Sequence, residues 1–224
     1  MTVCYMKLRV GVKKNIKDFL EAWNKNVIRD SDLADALGKT PPARHALVKR
    51  AFKAGILIRL RKGLYLVASK AKQILPQEFE LAALVYEPSV VSLESALSYH
   101  GWLPEAVYVT TSVSPKRAQE FKTPIGVFNY KRVPAQRFYL GVARTTTQTG
   151  AFFMAERWRA LADLVYTRRK SWKNILELEE DLRIDHEVLM QSDSTLLKEL
   201  SECYPSPRVR VVLKRMLKEL TPKK

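Results

Sequence analysis

The sequence predicts an α+β protein in two modules: a small, strongly basic module over residues 1–75, then a mixed α/β domain over residues 76–224 with a helical C-terminal part. Three observations predict it. The first is charge: residues 1–75 carry 17 Lys and Arg against five Asp and Glu, a net of +12, whereas the rest of the chain carries 22 against 18, a net of +4. The second is the order of patterns in the basic module: amphipathic helix, short helix, glycine turn, basic helix, basic hairpin. The third is a change of pattern after Pro76, where helix and strand signals alternate before giving way, from Glu156 onward, to helical periodicity alone. With 46% hydrophobic residues the 224-residue chain has enough apolar side chain for real cores. Its net charge of +16 points to a polyanionic partner, with nucleic acid first.

In the first module Ile16, Phe19, Leu20 and Trp23 recur at i, i+3, i+4 and i+7, the stripe of a helix with one buried face. A short helix follows. Asp30 or Ser31 is expected to cap it, Asp32 and Asp35 suit the positive end of its dipole, Leu33, Ala34 and Leu37 face inward, and Gly38 supplies a left-handed stop. Thr40 is expected to cap a third helix, with Pro41 in the first helical position, where a missing N–H costs nothing. Only Gly38, Lys39 and Thr40 separate the two helices, the tight turn of a helix-turn-helix. On the third helix Leu47, Val48, Ala51 and Phe52 form an apolar arc. His45, Lys49 and Lys53 line another arc, flanked by Arg50, and Arg44 is expected to project from the first turn, where recognition helices reach base edges. The run ILIRLR-KG-LYLV reads as two strands about Lys62-Gly63, Ile58 and Leu60 alternating with Arg59 and Arg61. A basic hairpin behind a basic helix completes the pattern of a winged helix-turn-helix, and the charged stretch from Lys70 to Pro76 marks the module boundary.

Beyond Pro76, QEFELAALVYE reads as a helix, and Ser92 is expected to cap another through LESALSYHG, stopped at Gly101. AVYVTTSV, a hairpin about Thr123 to Gly126, and GAFFMA read as strands. ERWRALADLVYTRR, SWKNILELEEDLR, the segment from Asp193 to Cys203 and RVRVVLKRMLKEL read as helices. Catalytic signatures are sparse. Only eight glycines are present, and no phosphate-cradling GxxxxGK[ST] or GxGxxG motif occurs, so no cofactor is expected. Glu177, Glu179, Glu180, Asp181, Asp185, His186 and Glu187 form a dense acidic stretch, read as a solvated helix face rather than a metal site. His100 reads as a packed side chain and Asp163, between two leucines, as a structural hydrogen-bonding group. Cys4 and Cys203, far apart and without CxxC spacing, read as reduced thiols. With no apolar run long enough to span a bilayer and no secretory leader, the expected location is cytoplasmic, away from membranes.

SDLADALGKTPPARHALVKRAFKAGILIRLRKGLYLV, then VSLESALSYHGWLPEAVYVTTSV, then FKTPIGVFNYKRV and RALADLVY together resemble the AbiEi antitoxins of type IV toxin-antitoxin (abortive infection) systems, over roughly residues 30 to 170. The resemblance implies a non-enzymatic bacterial protein in antiviral defence. Its N-terminal domain would bind double-stranded DNA at inverted repeats in its own promoter and repress the operon. Its C-terminal domain, residues 76–224, would antagonise a nucleotidyltransferase-like toxin without a stable complex. Onto this sequence it carries Arg44, His45, Lys49, Arg50, Lys53, Arg59, Arg61 and Lys62, which with Thr40 at the head of the third helix make the expected DNA-binding set. Two alternatives remain open: a stand-alone winged-helix regulator whose second domain senses a ligand or dimerises, and a defence nuclease. The nuclease needs convergent carboxylates, yet the strand-like stretch 106–133 carries Glu120 alone.

Overall fold

The computed structural model of the chain describes residues 16–105 and 107–220; Cys4 and Ala106 therefore lie outside the described residues. The chain divides into two compact units, Met1–Leu75 and Pro76–Lys224. The described residues form a mixed α+β protein with eleven helices and two sheets.

The first unit runs α1 (Ile16–Ala22), β1 (Val27–Arg29), α2 (Asp30–Leu37), α3 (Pro41–Lys53), β2 (Leu57–Arg61), β3 (Leu64–Val67) and α4 (Ala68–Ala71). The stripe on α1 packs as expected: Ile16 and Leu20 are buried, and Phe19 and Trp23 lie against the same core, their ring centroids 5.7 Å apart. Strand β1, unexpected from its three residues, pairs antiparallel with β3, as does β2, giving the order β1-β3-β2. Leu33 of α2, Val48 and Ala51 of α3, and Leu57, Tyr65 and Val67 close the core, with Phe52 edge-on to Tyr65 at 5.4 Å.

Three local expectations change. The residue capping α2 is Arg29, whose backbone N–H donates to Asp32 Oδ2 at 2.8 Å; Asp30 is already inside the helix, as is Ser31. Thr40 does hold the cap position of α3, with Pro41 after it, but its hydroxyl makes no capping hydrogen bond. In the hairpin, Ile58 and Leu60 do not alternate inward together. The register slips between Arg59 and Arg61, so Leu60 is an extra residue, and the buried pair becomes Leu57 and Leu60. The turn Lys62-Gly63 needs its glycine, at φ +76°.

The second unit begins with α5 (Glu78–Val85), β4 (Val90–Val91), α6 (Leu93–Tyr99), β5 (Val109–Ser114), β6 (Gln119–Thr123), β7 (Gly126–Arg132), β8 (Val142–Thr146) and β9 (Ala151–Ala155). It ends in α7 (Arg157–Arg168), α8 (Ile175–Leu182), α9 (His186–Met190), α10 (Thr195–Cys203) and α11 (Pro207–Leu220). The six strands lie in the order β6-β7-β5-β4-β9-β8, with β5/β7 and β4/β9 parallel and the other neighbours antiparallel. The pleat turns Phe152, Ser112 and Tyr130 to one face and Thr111 to the other. Helix α5 covers the first face: Phe79 stacks edge-on to Phe152 at 5.5 Å and the Tyr130 hydroxyl donates to the Ala82 carbonyl at 2.7 Å. Helix α6 meets the second, where the Thr111 hydroxyl donates to the Ser92 carbonyl and the Thr111 N–H to Ser95 Oγ.

Ser92 occupies the cap position of α6, but its hydroxyl does not cap the helix. It donates instead to Asp163 Oδ2 at 2.8 Å, at the centre of a buried polar network. Asp163 Oδ1 accepts from Arg159 Nε at 3.0 Å and from the Tyr204 hydroxyl at 2.9 Å, so Asp163 is the structural group expected from sequence. Asp163 is fully buried and Arg159 is 3% exposed. The remaining guanidinium reach of Arg159 goes to the carbonyls of Leu140 and Arg137. One carboxylate thus ties the start of α6, the middle of α7 and the end of α10 together, with the neighbouring charge satisfying the segment before β8. Burial, then the adjacent Asp163 charge, pushes the Tyr204 hydroxyl pKa far upward, so it stays a donor.

Candidate nucleic-acid interface

From Ala36 to Gln77 the sequence contains no acid and ten Lys and Arg, and that stretch builds the C-terminal end of α2, all of α3 and the hairpin β2–β3. The buried arc of α3, Val48 and Ala51 with Leu47 and Phe52 half-buried, orients the helix and leaves His45, Lys49, Arg50 and Lys53 exposed. His45, Lys49 and Lys53 stand one turn apart along the helix. On the hairpin Arg59 and Lys62 are exposed, while Arg61 is half-buried and donates from its guanidinium to the Lys62 carbonyl at 3.0 Å. Thr40 is exposed at the head of α3.

Arg44 departs from the expected projecting side chain. Its guanidinium donates to the Lys39 carbonyl in the helix-helix turn at 2.5 Å and lies 3.9 Å from the Asp30 carboxylate, and only 14% of the side chain is exposed. Asp30 was expected only as a cap, and its connecting role was not foreseen. Its backbone N–H donates to the Gly63 carbonyl at 3.0 Å, so one residue joins the hairpin tip to the first turn of α3. The neighbouring Tyr65 hydroxyl has its pKa raised, first by burial and then by the Asp30 charge. Helical periodicity already puts Arg44 on the buried arc of α3, three, four and seven residues before Leu47, Val48 and Ala51; what it gives no sign of is the partner, a carboxylate fourteen residues upstream.

The other expected features of the second unit resolve individually. Each acid of the 177–187 stretch that the structure gives a bond makes a local one: Asp181 accepts from Lys170 and Trp172, Glu177 from the Lys173 N–H, Glu179 pairs with His186 at 2.7 Å, and Asp185 caps α9. Burial alone would raise the Asp181 pKa, but the hydrogen bonds from Lys170 and Trp172 bring it below the ordinary carboxylate value. Among the described residues no group of three or more His, Cys, Asp or Glu is placed to hold a metal ion. Glu120 sits on the exposed strand β6 within reach of Asn129 and Lys122. His100 is half-buried, bonded through Nε2 to the Ala155 carbonyl at 2.9 Å, beside a cavity of about 250 Å³ lined by Glu156, Arg157, Trp158 and Asp193. Burial holds its pKa below the usual imidazole value despite that carbonyl. Cys203 is a free thiol. A feature passed over in sequence is a second basic concentration: residues 115–137, around β6 and β7, carry six exposed Lys and Arg and one acid.

No helix among the described residues is long and apolar enough to cross a membrane. A comparison with curated proteins finds no match to the chain. Residues 18–68, from within α1 through the end of β3, match the family described as transcriptional regulator, AbiEi antitoxin, so this segment, which contains α3, the hairpin and Asp30, is AbiEi-like.

Proposed function

We propose that residues 1–75 form a winged helix-turn-helix that binds double-stranded DNA, α3 entering the major groove and the β2–β3 hairpin acting as the wing. The observation that carries this reading is the acid-free basic stretch, which presents Lys49, Arg50, Lys53, Arg59 and Lys62 to solvent on a helix and a hairpin of one small unit. His45, near the start of α3, stands where base edges are read, and Lys49, Arg50, Lys53, Arg59 and Lys62 run along phosphates. The match to the AbiEi antitoxin regulators supports the wider reading. In it the chain is the antitoxin of a type IV toxin-antitoxin system, represses its own operon at inverted repeats, and uses residues 76–224 to antagonise a nucleotidyltransferase-like toxin without a lasting complex. It works in the cytoplasm by binding, with no catalytic step of its own.

Salt titration of DNA binding by the full chain tests the first claim. Five exposed cations neutralising five phosphates give a slope of about −4.5 in log K against log salt, an affinity loss of roughly 500-fold for a fourfold rise in salt. Lys49→Ala with Arg50→Ala removes two of them, and the slope is expected to fall to about −2.7, a loss of roughly 40-fold over the same range. Both side chains lie outside the buried arc, so the fold is unchanged. A slope untouched by the double substitution would show that α3 does not face the DNA.

A further inference from the structure

Between Glu120 and Glu156 the sequence has no acid; residues 121–155 hold five Lys and Arg and seven Phe and Tyr. Four of those rings are buried and Phe121 is half-buried, but Tyr139 is 53% exposed and Phe153 37% exposed. The two exposed rings lie against each other, centroids 5.3 Å apart and planes at 57°. Because Phe152 turns to the α5 side of the sheet, Phe153 turns to the other. Its register partner there is Arg144 on the edge strand β8, a cross-strand neighbour with Cβ atoms about 5 Å apart. Arg144 is exposed, and its guanidinium lies along β8, donating to Thr146 Oγ1 at 3.2 Å. Arg137, also exposed, stands two residues before Tyr139 in the same turn. That turn is held from inside the unit: Arg159 Nη1 donates to the carbonyls of Arg137 and Leu140, on either side of Tyr139, and the buried Phe138 meets the Tyr139 ring edge-on at 5.0 Å. A buried ion pair such as Arg159 with Asp163 adds little net stability by itself. Here it fixes the backbone that presents an exposed ring.

We infer that Tyr139 and Phe153 form a stacking platform for an unpaired base of single-stranded RNA, with Arg144 and Arg137 on the flanking phosphates. Exposed aromatic rings beside arginines, in a basic stretch without acids, match a ligand that alternates flat apolar faces with negative charge. A duplex does not fit this chemistry, because its bases are stacked on one another and offer no free face to a protein ring. RNA exposes such faces in loops, bulges and ends. A second copy of the chain fits less well, since a symmetric contact through this patch would set its arginines against the same arginines. The site lies in the second unit, and it stands independently of duplex binding by residues 1–75.

The test uses the full chain and a fluorescent uridine RNA of ~12 nucleotides, with a strand of the same length that lacks bases as its partner probe; binding is followed by anisotropy across a salt series. Wild-type chain is expected to bind the uridine strand about tenfold more tightly than the abasic one. Tyr139→Leu with Phe153→Leu keeps apolar side chains at both positions. It is expected to abolish that difference while leaving the salt slope and the melting temperature unchanged, because stacking neutralises no phosphate. Arg144→Ala is expected to lower the slope by about 0.7, one phosphate contact on a single strand. Tyr108→Leu, which removes a 93% exposed ring ahead of β5, is expected to change nothing. Equal binding of the two strands by wild-type chain overturns the inference. So does a loss in the leucine variant that Tyr108→Leu matches, or that extends equally to the abasic strand or to duplex. Tighter binding of the matching deoxythymidine strand overturns RNA as the occupant. If the leucine variant instead turns a dimer into a monomer in sedimentation, the rings are a contact between copies and the inference fails.

Discussion

Replacing Asp163 by alanine is expected to destabilise the second unit more than any surface change. The carboxylate is fully buried and accepts three hydrogen bonds, from Ser92, Arg159 and Tyr204. Its removal leaves Arg159, 3% exposed, with two carbonyl acceptors and no counter-charge. Breaking a buried pair on one side costs about 3–5 kcal/mol. Tyr204→Phe deletes a single donor to the charged oxygen and is expected to cost about 1.5–3 kcal/mol. Changing Arg159→Met together with Asp163→Leu removes the stranded charge, so the double variant should be markedly more stable than the two single changes add up to. Urea unfolding of the full chain followed by tryptophan fluorescence reads this, because Trp102 and Trp158 pack edge-on at 4.8 Å in the same core. With an m value near 2 kcal/mol/M, Asp163→Ala should lower the midpoint of the second unit by about 2 M. A shift below about 0.5 M, or strictly additive behaviour of the pair, would refute the reasoning that this carboxylate anchors three helices.

Two further perturbations follow from the same unit. Gly141 sits at φ +65°, and a Cβ there would lie 2.9 Å from Leu196 Cδ2 and 3.0 Å from Arg159 Cβ, so Gly141→Ala combines left-handed strain with overpacking and should cost about 2–4 kcal/mol in thermal melts; a cost under about 1 kcal/mol would mean that Leu196 gives way freely and the site is not tightly packed. His100, held neutral by burial, binds a proton more readily unfolded than folded, so its contribution to stability is present above pH 6.5 and is lost as pH falls below that value toward its lowered folded pKa. His100→Asn should flatten the fall in melting temperature between pH 7.5 and pH 5, and an unchanged profile would remove His100 as the cause.

What the sequence disclosed of this molecule was what periodicity and cap chemistry encode. The buried arc of α3, Pro41 behind Thr40 and the left-handed Gly38 all sit in the residues themselves, and the structure places them as read. Strand β1 was missed because three residues cannot show alternation; it exists through its pairing with β3, thirty-odd residues later. Ile58 misled for a related reason: a bulge at Leu60 breaks the alternation, so Leu57 rather than Ile58 shares the buried side with Leu60. Strand β8 and the short helices α4 and α9 escaped notice as well, each too short for a period. At the candidate interface, the exposed cations of α3 and the hairpin were legible as charge at helical and strand spacing. Arg44, expected to project, lies instead on the buried arc, as its spacing of three, four and seven from Leu47, Val48 and Ala51 requires; only its pairing with Asp30 depends on the tertiary fold. The helix expected over SWKNILELEEDLR starts only at Ile175, because Asn174 caps it by accepting from the Glu177 N–H and Trp172 is buried ahead of it.

In the proposed function DNA binding belongs to the first unit and toxin antagonism to the second. Lys49→Ala with Arg50→Ala in the full chain tests it most directly, because both side chains are exposed and outside the core of α3. A reporter fused to the chain's own promoter and growth during co-expression of the neighbouring reading frame, the proposed toxin, are measured in the same cells, with protein levels matched. Repression is expected to be lost while growth rescue persists at the wild-type level. Loss of rescue together with repression, in a double variant that still melts like wild type, would contradict the account by showing that one basic surface serves both activities; absence of rescue by the wild-type chain would leave it a stand-alone regulator.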